Sequence, residues 1–324
     1  MRLGVAPVRT WRVVSVRHDE DAVLVTVDDI ERAASRIKGY VRRTPVIEHD
    51  GLWLKLELLQ HTGSFKPRGA FNRILSEHVP TAGVIAASGG NHGAAVAYAA
   101  SQLGVPAEVM IPSTSPSLKR RLIERHGAQV VVVDGLYDDA QRVAEERQVT
   151  TGALMLHPFD HPATVAGQGT MARELEAQIG AIDTLVVATG GGGFTAGQAA
   201  WFRDRVRVVS VEPETSQCLR AALGAGAPTE VVVAGVAADS LGARQIGRAP
   251  WEVVRRYVDE AVVVSDDDIR ATQRNIWDDL RLITEPGGAT ALAAIRTGAY
   301  RPARGERVAV ALCGSNCEPS TILG

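Results

Sequence analysis

Lys66 is the residue best placed to do covalent chemistry. It lies in His61-Thr62-Gly63-Ser64-Phe65-Lys66-Pro67-Arg68-Gly69-Ala70, between the apolar run LWLKLELL and the helical stretch AFNRIL. A helix N-terminus carries partial positive charge and disfavours a cation. An amine held there has a lowered pKa, which is what a Schiff-base lysine requires. An exposed surface lysine is the plainer alternative for this loop taken alone. A second loop, Ser88-Gly89-Gly90-Asn91-His92-Gly93, joins VIAA to AAVAYAASQL. Its glycines let the backbone approach a ligand, and its amides suit a carboxylate. Asn91 can donate to a phenolic oxygen or accept from an imine. A tight turn capped by Ser88 is the alternative, and His92 by itself reads as structural. In a third loop, Gly190-Gly191-Gly192-Gly193-Phe194 follows TLVVAT and precedes AGQAAWF. Four glycines at a helix start make a nest of N–H donors for a phosphate. Gly191, Gly193 and Ala196 also satisfy the dinucleotide pattern G-x-G-x-x-A, and Glu212 follows about 20 residues on, where an acid would bind a ribose. Both readings stay open for that loop. The fourth loop, Cys313-Gly314-Ser315-Asn316, follows RVAVAL, and Glu285-Pro286-Gly287-Gly288-Ala289-Thr290 opens a helix upstream. A cysteine after a buried strand usually serves as a small hydrophobe. Its thiol can also make a weak hydrogen bond to a ring nitrogen.

The elements that must position these loops read as strands alternating with helices. Strands are expected at Leu52–Glu57, Val84–Ala87, Ala107–Ile111, Val130–Val133, Leu185–Ala188, Val206–Val211 and Val308–Leu312. Several are continuous apolar runs, as in strands buried on both faces of a parallel sheet. Thr26 with Asp29, and Ser265 with Asp268, have capping-box spacing. Ser115 with Pro116 opens another helix, and Gly127 closes it. The alternation predicts a mostly parallel α/β fold, in which ligands bind beyond the carboxyl ends of the strands. The first twenty-odd residues precede the first capped helix. They read as an appendage and a candidate extra edge strand.

Composition narrows the partners. The chain has 324 residues, 45% hydrophobic and 22% charged, with a formal net charge of −2. That is an ordinary globular composition with ample core. No global field draws in nucleic acid or a membrane surface, so a small molecule is the expected partner. The three cysteines, Cys218, Cys313 and Cys317, are too few for a disulfide framework and lack structural-zinc spacing. Arg2, Arg9, Arg12 and Arg17 interrupt the apolar N-terminus, no stretch reads as a bilayer span, and a cytoplasmic location is expected.

As a set, the four loops resemble the fold type II enzymes that use pyridoxal 5′-phosphate (PLP), in particular the threonine/serine dehydratase and serine racemase group. The resemblance covers roughly residues 25 to 320. T-G-S-F-K-x-R-G-A, S-x-G-N-H-G, A-G-Q-G-T at Ala166–Thr170, G-G-G-G and E-P-G-G-A occur in the family's order. A dinucleotide enzyme has no use for the lysine and asparagine loops, so the set decides against NAD. The resemblance implies a tryptophan synthase β-like α/β fold of two open, mostly parallel domains. Residues 1–82 and 158–324 would form the large PLP-binding domain, with 1–24 as an N-terminal extension. Residues 83–157 would form a small domain that closes over the substrate. No C-terminal regulatory domain is expected. Lys66 would be the Schiff-base lysine and general base, and Phe65 would flank the ring. Asn91 would bond the ring's 3′-oxygen, Gly190, Gly191, Gly192 and Gly193 would hold the phosphate, and Cys313 would face the pyridine nitrogen. Ser88, Gly89, Asn91 and His92 would bind the substrate. The implied reaction removes the α-proton and the β-hydroxyl of an L-hydroxy-amino acid, giving a 2-oxo acid and ammonia, in a cytoplasmic homodimer. β-Replacement and racemisation are the alternatives within the fold. A non-catalytic PLP- or nucleotide-binding protein is the alternative outside it.

Two departures stand out. Serine racemase places a serine just after the position of Ser88, whereas this chain has Gly89. Racemisation is thereby disfavoured, and Gly89 is expected to leave extra space for a bulky β-substituent such as that of phenylserine or hydroxyaspartate. The family's cation site uses a carboxylate, a backbone carbonyl and a second oxygen ligand. Glu212 and Ser216 match the first two, but Cys218 stands at the third, so a monovalent ion is expected in preference to a divalent one.

Overall fold

The computed structural model describes residues 24–323 apart from residue 116. The candidate edge strand before residue 24 lies outside these. Ten strands are present among the described residues: β1 Val46–His49, β2 Leu52–Leu56, β3 Val84–Ala87, β4 Ala107–Pro112, β5 Gln129–Val133, β6 Leu154–Met155, β7 Thr184–Ala188, β8 Arg207–Pro213, β9 Glu260–Val264 and β10 Val308–Leu312. The helices are α1 Val27–Ile37, α2 Lys66–Leu75, α3 Asn91–Leu103, α4 Ser117–Arg125, α5 Tyr137–Thr151, α6 Pro162–Ile179, α7 Gly193–Phe202, α8 Cys218–Ala225, α9 Ala238–Leu241, α10 Arg248–Tyr257, α11 Asp266–Leu280, α12 Pro286–Thr297 and α13 Ser320–Leu323.

Two sheets organise the chain. The larger runs β1-β2-β10-β7-β8-β9 and the smaller runs β5-β4-β3-β6. All pairs are parallel except β1 with β2. At the centre of the large sheet Val310 lies between Leu54 and Val186. β7 and β10 are buried at every position, as expected of strands covered by helices on both faces. One apolar core fills the large-sheet side, while the small sheet is served by three smaller clusters. Both capping boxes form, at Thr26 with Asp29 and at Ser265 with Asp268. No described helix is long and apolar enough to cross a membrane.

Three strands fall outside the sequence expectation. β1 makes a tight hairpin with β2 through Asp50 and Gly51, whose φ values of 51° and 74° suit a type I′ turn. β6 has only two residues, and β9 begins with the polar Glu260. Glu57, expected as the last residue of β2, instead opens a short 3-10 turn. That turn matters, because Glu57 is fully buried and holds Arg68 by two hydrogen bonds of 2.8 and 2.7 Å. Glu174 joins Arg68 at 3.1 Å and Lys55 at 2.6 Å. Thr44 donates to Glu57 at 2.5 Å. Burial pushes the Glu57 carboxyl up, but the Arg68 guanidinium more than offsets this and holds it below its ordinary range. Two cations and two carboxylates thus satisfy one another beneath α2, two residues from Lys66.

Candidate active site

The structure brings the four chemistry-bearing loops together at the carboxyl ends of their strands. Lys66 opens α2 and is half-buried. Its Nζ donates to the Pro158 carbonyl at 3.0 Å. Desolvation draws its pKa down from 10.5 to about 8, against the opposing pull of Cys313 and Glu285. The alternative of an exposed surface lysine is therefore excluded. The loop is clamped to the C-terminal segment. Ser64 bridges Gly314, the Phe65 N–H donates to the Cys313 carbonyl at 3.2 Å, and the Ser315 N–H donates to Gly63 at 2.9 Å. The Phe65 ring packs on Phe194, with centroids 4.1 Å apart, which places the lysine loop against the glycine loop.

The glycine loop ends at Gly192, whose φ of +87° is the left-handed geometry glycine favours, and α7 begins at Gly193 without a side-chain cap. The first-turn amides of a helix have no partner within it, so they point at whatever anion binds there. Phe159 explains two of the glycines in a way the sequence did not reveal. A Cβ at Gly191 would overlap its ring, and one at Gly193 would lie 2.8 Å from its Cβ. Phe159 directly follows the residue that accepts from Lys66.

On the small-sheet side α3 starts at Asn91, again without a side-chain cap, and its first-turn amides are likewise directed outward. Ser88 accepts from the Gly90 N–H at 3.2 Å, the turn-capping role anticipated as its alternative. Asn91 donates to Glu285 Oε1 at 2.5 Å and accepts from Asn316 at 2.7 Å. The sequence alone assigns neither Glu285 nor Asn316 a role. The buried Glu285 carboxyl is lodged so closely over Gly314 that a Cβ there would overlap it. Cys313 is buried, its thiol 3.4 Å from the Gly287 carbonyl, and burial raises its pKa so that it stays neutral.

One expectation, the open space at Gly89, needs correction. The His92 side chain takes the structural role that the sequence suggested. Its buried imidazole hydrogen-bonds the Leu156 carbonyl at 2.7 Å, so Nε2 must carry the proton, and burial followed by the nearby Lys66 lowers its pKa to about 3. Only its backbone N–H remains for binding. Gly89 does not leave open space, because a Cβ there would overlap the Ser115 hydroxyl oxygen. Glu212 and Ser216, expected at a cation site, both have side-chain partners within the chain. The two Glu212 oxygens accept from Leu219 N at 2.7 Å and Arg220 N at 2.8 Å. The Ser216 hydroxyl is spent on the Leu241 carbonyl, and the Cys218 thiol faces the Gly190 carbonyl at 3.2 Å. Burial pushes the Glu212 carboxyl up to about 8. The two backbone bonds tie the carboxyl to the start of α8. They also remove the acid that a dinucleotide ribose would need.

The residues present fit PLP. A desolvated lysine amine, an uncapped helix N-terminus and a neutral thiol lie on adjoining loops. Comparison with known proteins agrees. The sequence profile of the family described as "Pyridoxal-phosphate dependent enzyme" matches residues 37–314. The chain is 37% identical over 315 residues to phenylserine dehydratase of Ralstonia pickettii, covering 91% of this chain and 95% of that protein. It is 33% identical over 312 residues to L-threonine ammonia-lyase of Thermotoga maritima, covering 92% and 77%. The structure of maize serine racemase superposes with a TM-score of 0.87 at 32% identity, covering 92% of this chain and 96% of that one.

Proposed function

Because the chain belongs to the pyridoxal-phosphate dependent enzymes, we propose that it is a lyase that carries PLP on Lys66 and eliminates water and then ammonia from a small L-hydroxy-amino acid. The observation that carries this reading is the Lys66 amine, desolvated to a pKa of about 8 beside the glycine loop. The similarity to enzymes named phenylserine dehydratase and L-threonine ammonia-lyase supports the reaction class.

The chain's own groups divide the work. The N–H groups around Gly190, Gly191, Gly192 and Gly193 hold the phosphate through the N-terminus of α7. Phe65 flanks the ring, and Asn91 Nδ2, now on Glu285, is the donor available to the ring oxygen. Ser88 and the backbone of Gly89, Asn91 and His92 hold the substrate carboxylate at the start of α3. PLP, when bound, acts as an electron sink that acidifies the α-carbon of the amino acid. Lys66 Nζ takes the α-proton, and an amine with a pKa near 8 is well matched to that task. The neutral Cys313 thiol leaves the pyridine nitrogen without a counter-charge. With PLP bound, that missing counter-charge would favour β-elimination over racemisation. The free thiols of Cys218 and Cys313 accord with a cytoplasmic setting, and a homodimer is the assembly we propose.

The test is release of keto acid from L-serine, L-threonine and L-phenylserine by PLP-loaded protein. The proposal expects pyruvate, 2-oxobutanoate or phenylpyruvate, together with ammonia in equal amount. Efficient capture of added thiol with little keto acid would place the enzyme among the β-replacement synthases. D-serine appearing faster than pyruvate would make it a racemase.

A further inference from the structure

We propose that Ser115, and not residue 89, forms the wall that limits the β-substituent accepted by the amino-acid pocket. The inference rests on the amino-acid lyase reading above and deepens it. Gly89 lies in the turn between β3 and α3, two residues before Asn91. A side chain there would project toward the end of β4, the neighbouring strand, which pairs with β3 from Val84 to Ala87. That volume is already taken. A Cβ on Gly89 would overlap the Ser115 hydroxyl oxygen, would lie 2.8 Å from the Ser115 Cβ, and would be 3.7 Å from the Ile111 Cβ. Ser115 is half-buried, and its N–H is tied to the Pro112 carbonyl at 3.0 Å, so its position is set by the end of β4.

The two positions therefore compete for one space. Where residue 89 lacks a side chain, residue 115 supplies one. The hydroxymethyl group of Ser115 closes the flank of the Ser88–Asn91 turn that a glycine would leave open. The amino acid docks its carboxylate on that turn, so its side chain must pass this flank. Shortening residue 115 should widen the passage, and restoring a methyl group at residue 89 should narrow it again.

Three variants test this: Ser115→Gly, Gly89→Ala and the double Gly89→Ala/Ser115→Gly. Two readouts are needed. One is the ratio of kcat/KM for L-phenylserine to that for L-serine. The other does not depend on turnover: the ratio of Kd values for L-phenylalanine and L-alanine, which lack the β-hydroxyl, from the absorbance change of the cofactor. Ser115→Gly should shift both ratios toward the aromatic partner by about tenfold, the scale of a small group in a pocket. The double variant should return within about threefold of the parent. Gly89→Ala alone should lower Tm, and Ser115→Gly should relieve that loss. If Ser115→Gly unfolds, Ser115→Ala keeps the Cβ and should give the same direction with a smaller shift. Unchanged ratios in a Ser115 variant with normal cofactor absorbance overturn the proposal. So does a uniform loss for all substrates, or a double variant no nearer the parent than Ser115→Gly. A shifted Kd ratio in a protein that releases no keto acid would leave the wall in place and remove only the lyase reading.

Discussion

The two sides of the active site are built differently. On the large-sheet side, Lys66 is fixed by a β-bridge, by the Phe65–Phe194 ring contact and by a buried charge network under α2. On the small-sheet side, the Ser88–Asn91 turn is held by a few single bonds: Ser88 N–H to Met110 at 2.9 Å, Gly90 N–H to Ser88, and the Asn91 links to Glu285 and Asn316. The first design suits a covalent cofactor, which must not shift. The second suits substrates, whose side chains vary. The proposed roles put catalytic power in one region and selectivity in the other, and each half of that contrast can be broken separately.

The largest effect should come from Lys66→Ala. Loss of the base alone should lower kcat by between about 100- and 10,000-fold, and the protein should lose its PLP absorbance as well. Next, Arg68→Ala leaves Glu57 and Glu174 without their shared cation. Breaking a buried ion pair costs about 3–5 kcal/mol, measured by denaturant unfolding. A loss confined to activity would mean that the network is not what holds the lysine loop. Asn91→Ala should be milder, lowering kcat/KM by about 10- to 100-fold, the equivalent of a hydrogen bond to a charged group. It should leave unfolding near that of the parent. The smallest effect concerns pH. In cofactor-free protein the Lys66 amine is protonated below about 8 and neutral above it, whereas an ordinary lysine stays protonated up to 10.5. Its acylation rate should therefore climb with pH and level off above about pH 8. A climb that continues past pH 10 would show that the amine is not desolvated.

Much of this architecture was legible in the sequence because the chemistry-bearing loops directly follow apolar runs. VIAA, TLVVA and VAVAL are each buried along their full length, and a buried strand announces where its loop must emerge. What stayed hidden depends on neighbours remote in sequence. The partners of Arg68 come from the 3-10 turn after β2 and from α6, so the buried charges could not be matched beforehand. Phe159, whose ring demands glycine at residue 191, is more than thirty positions away. Gly89 was expected to open space for the same reason, since nothing local reveals that Ser115 fills it. The Asp50-Gly51 hairpin is a different case. Its turn signal was present in the sequence, but β1 is only four residues long and too weakly apolar to stand out.

The central claim is that PLP is attached at residue 66. The chain has four lysines, Lys38, Lys55, Lys66 and Lys119, so the attachment point can be assigned without ambiguity. Borohydride reduction of folded, PLP-saturated protein, followed by peptide mass mapping, should find one pyridoxyl group, on Lys66. A pyridoxyl group on any other lysine, or an unmodified Lys66 peptide, would contradict the account.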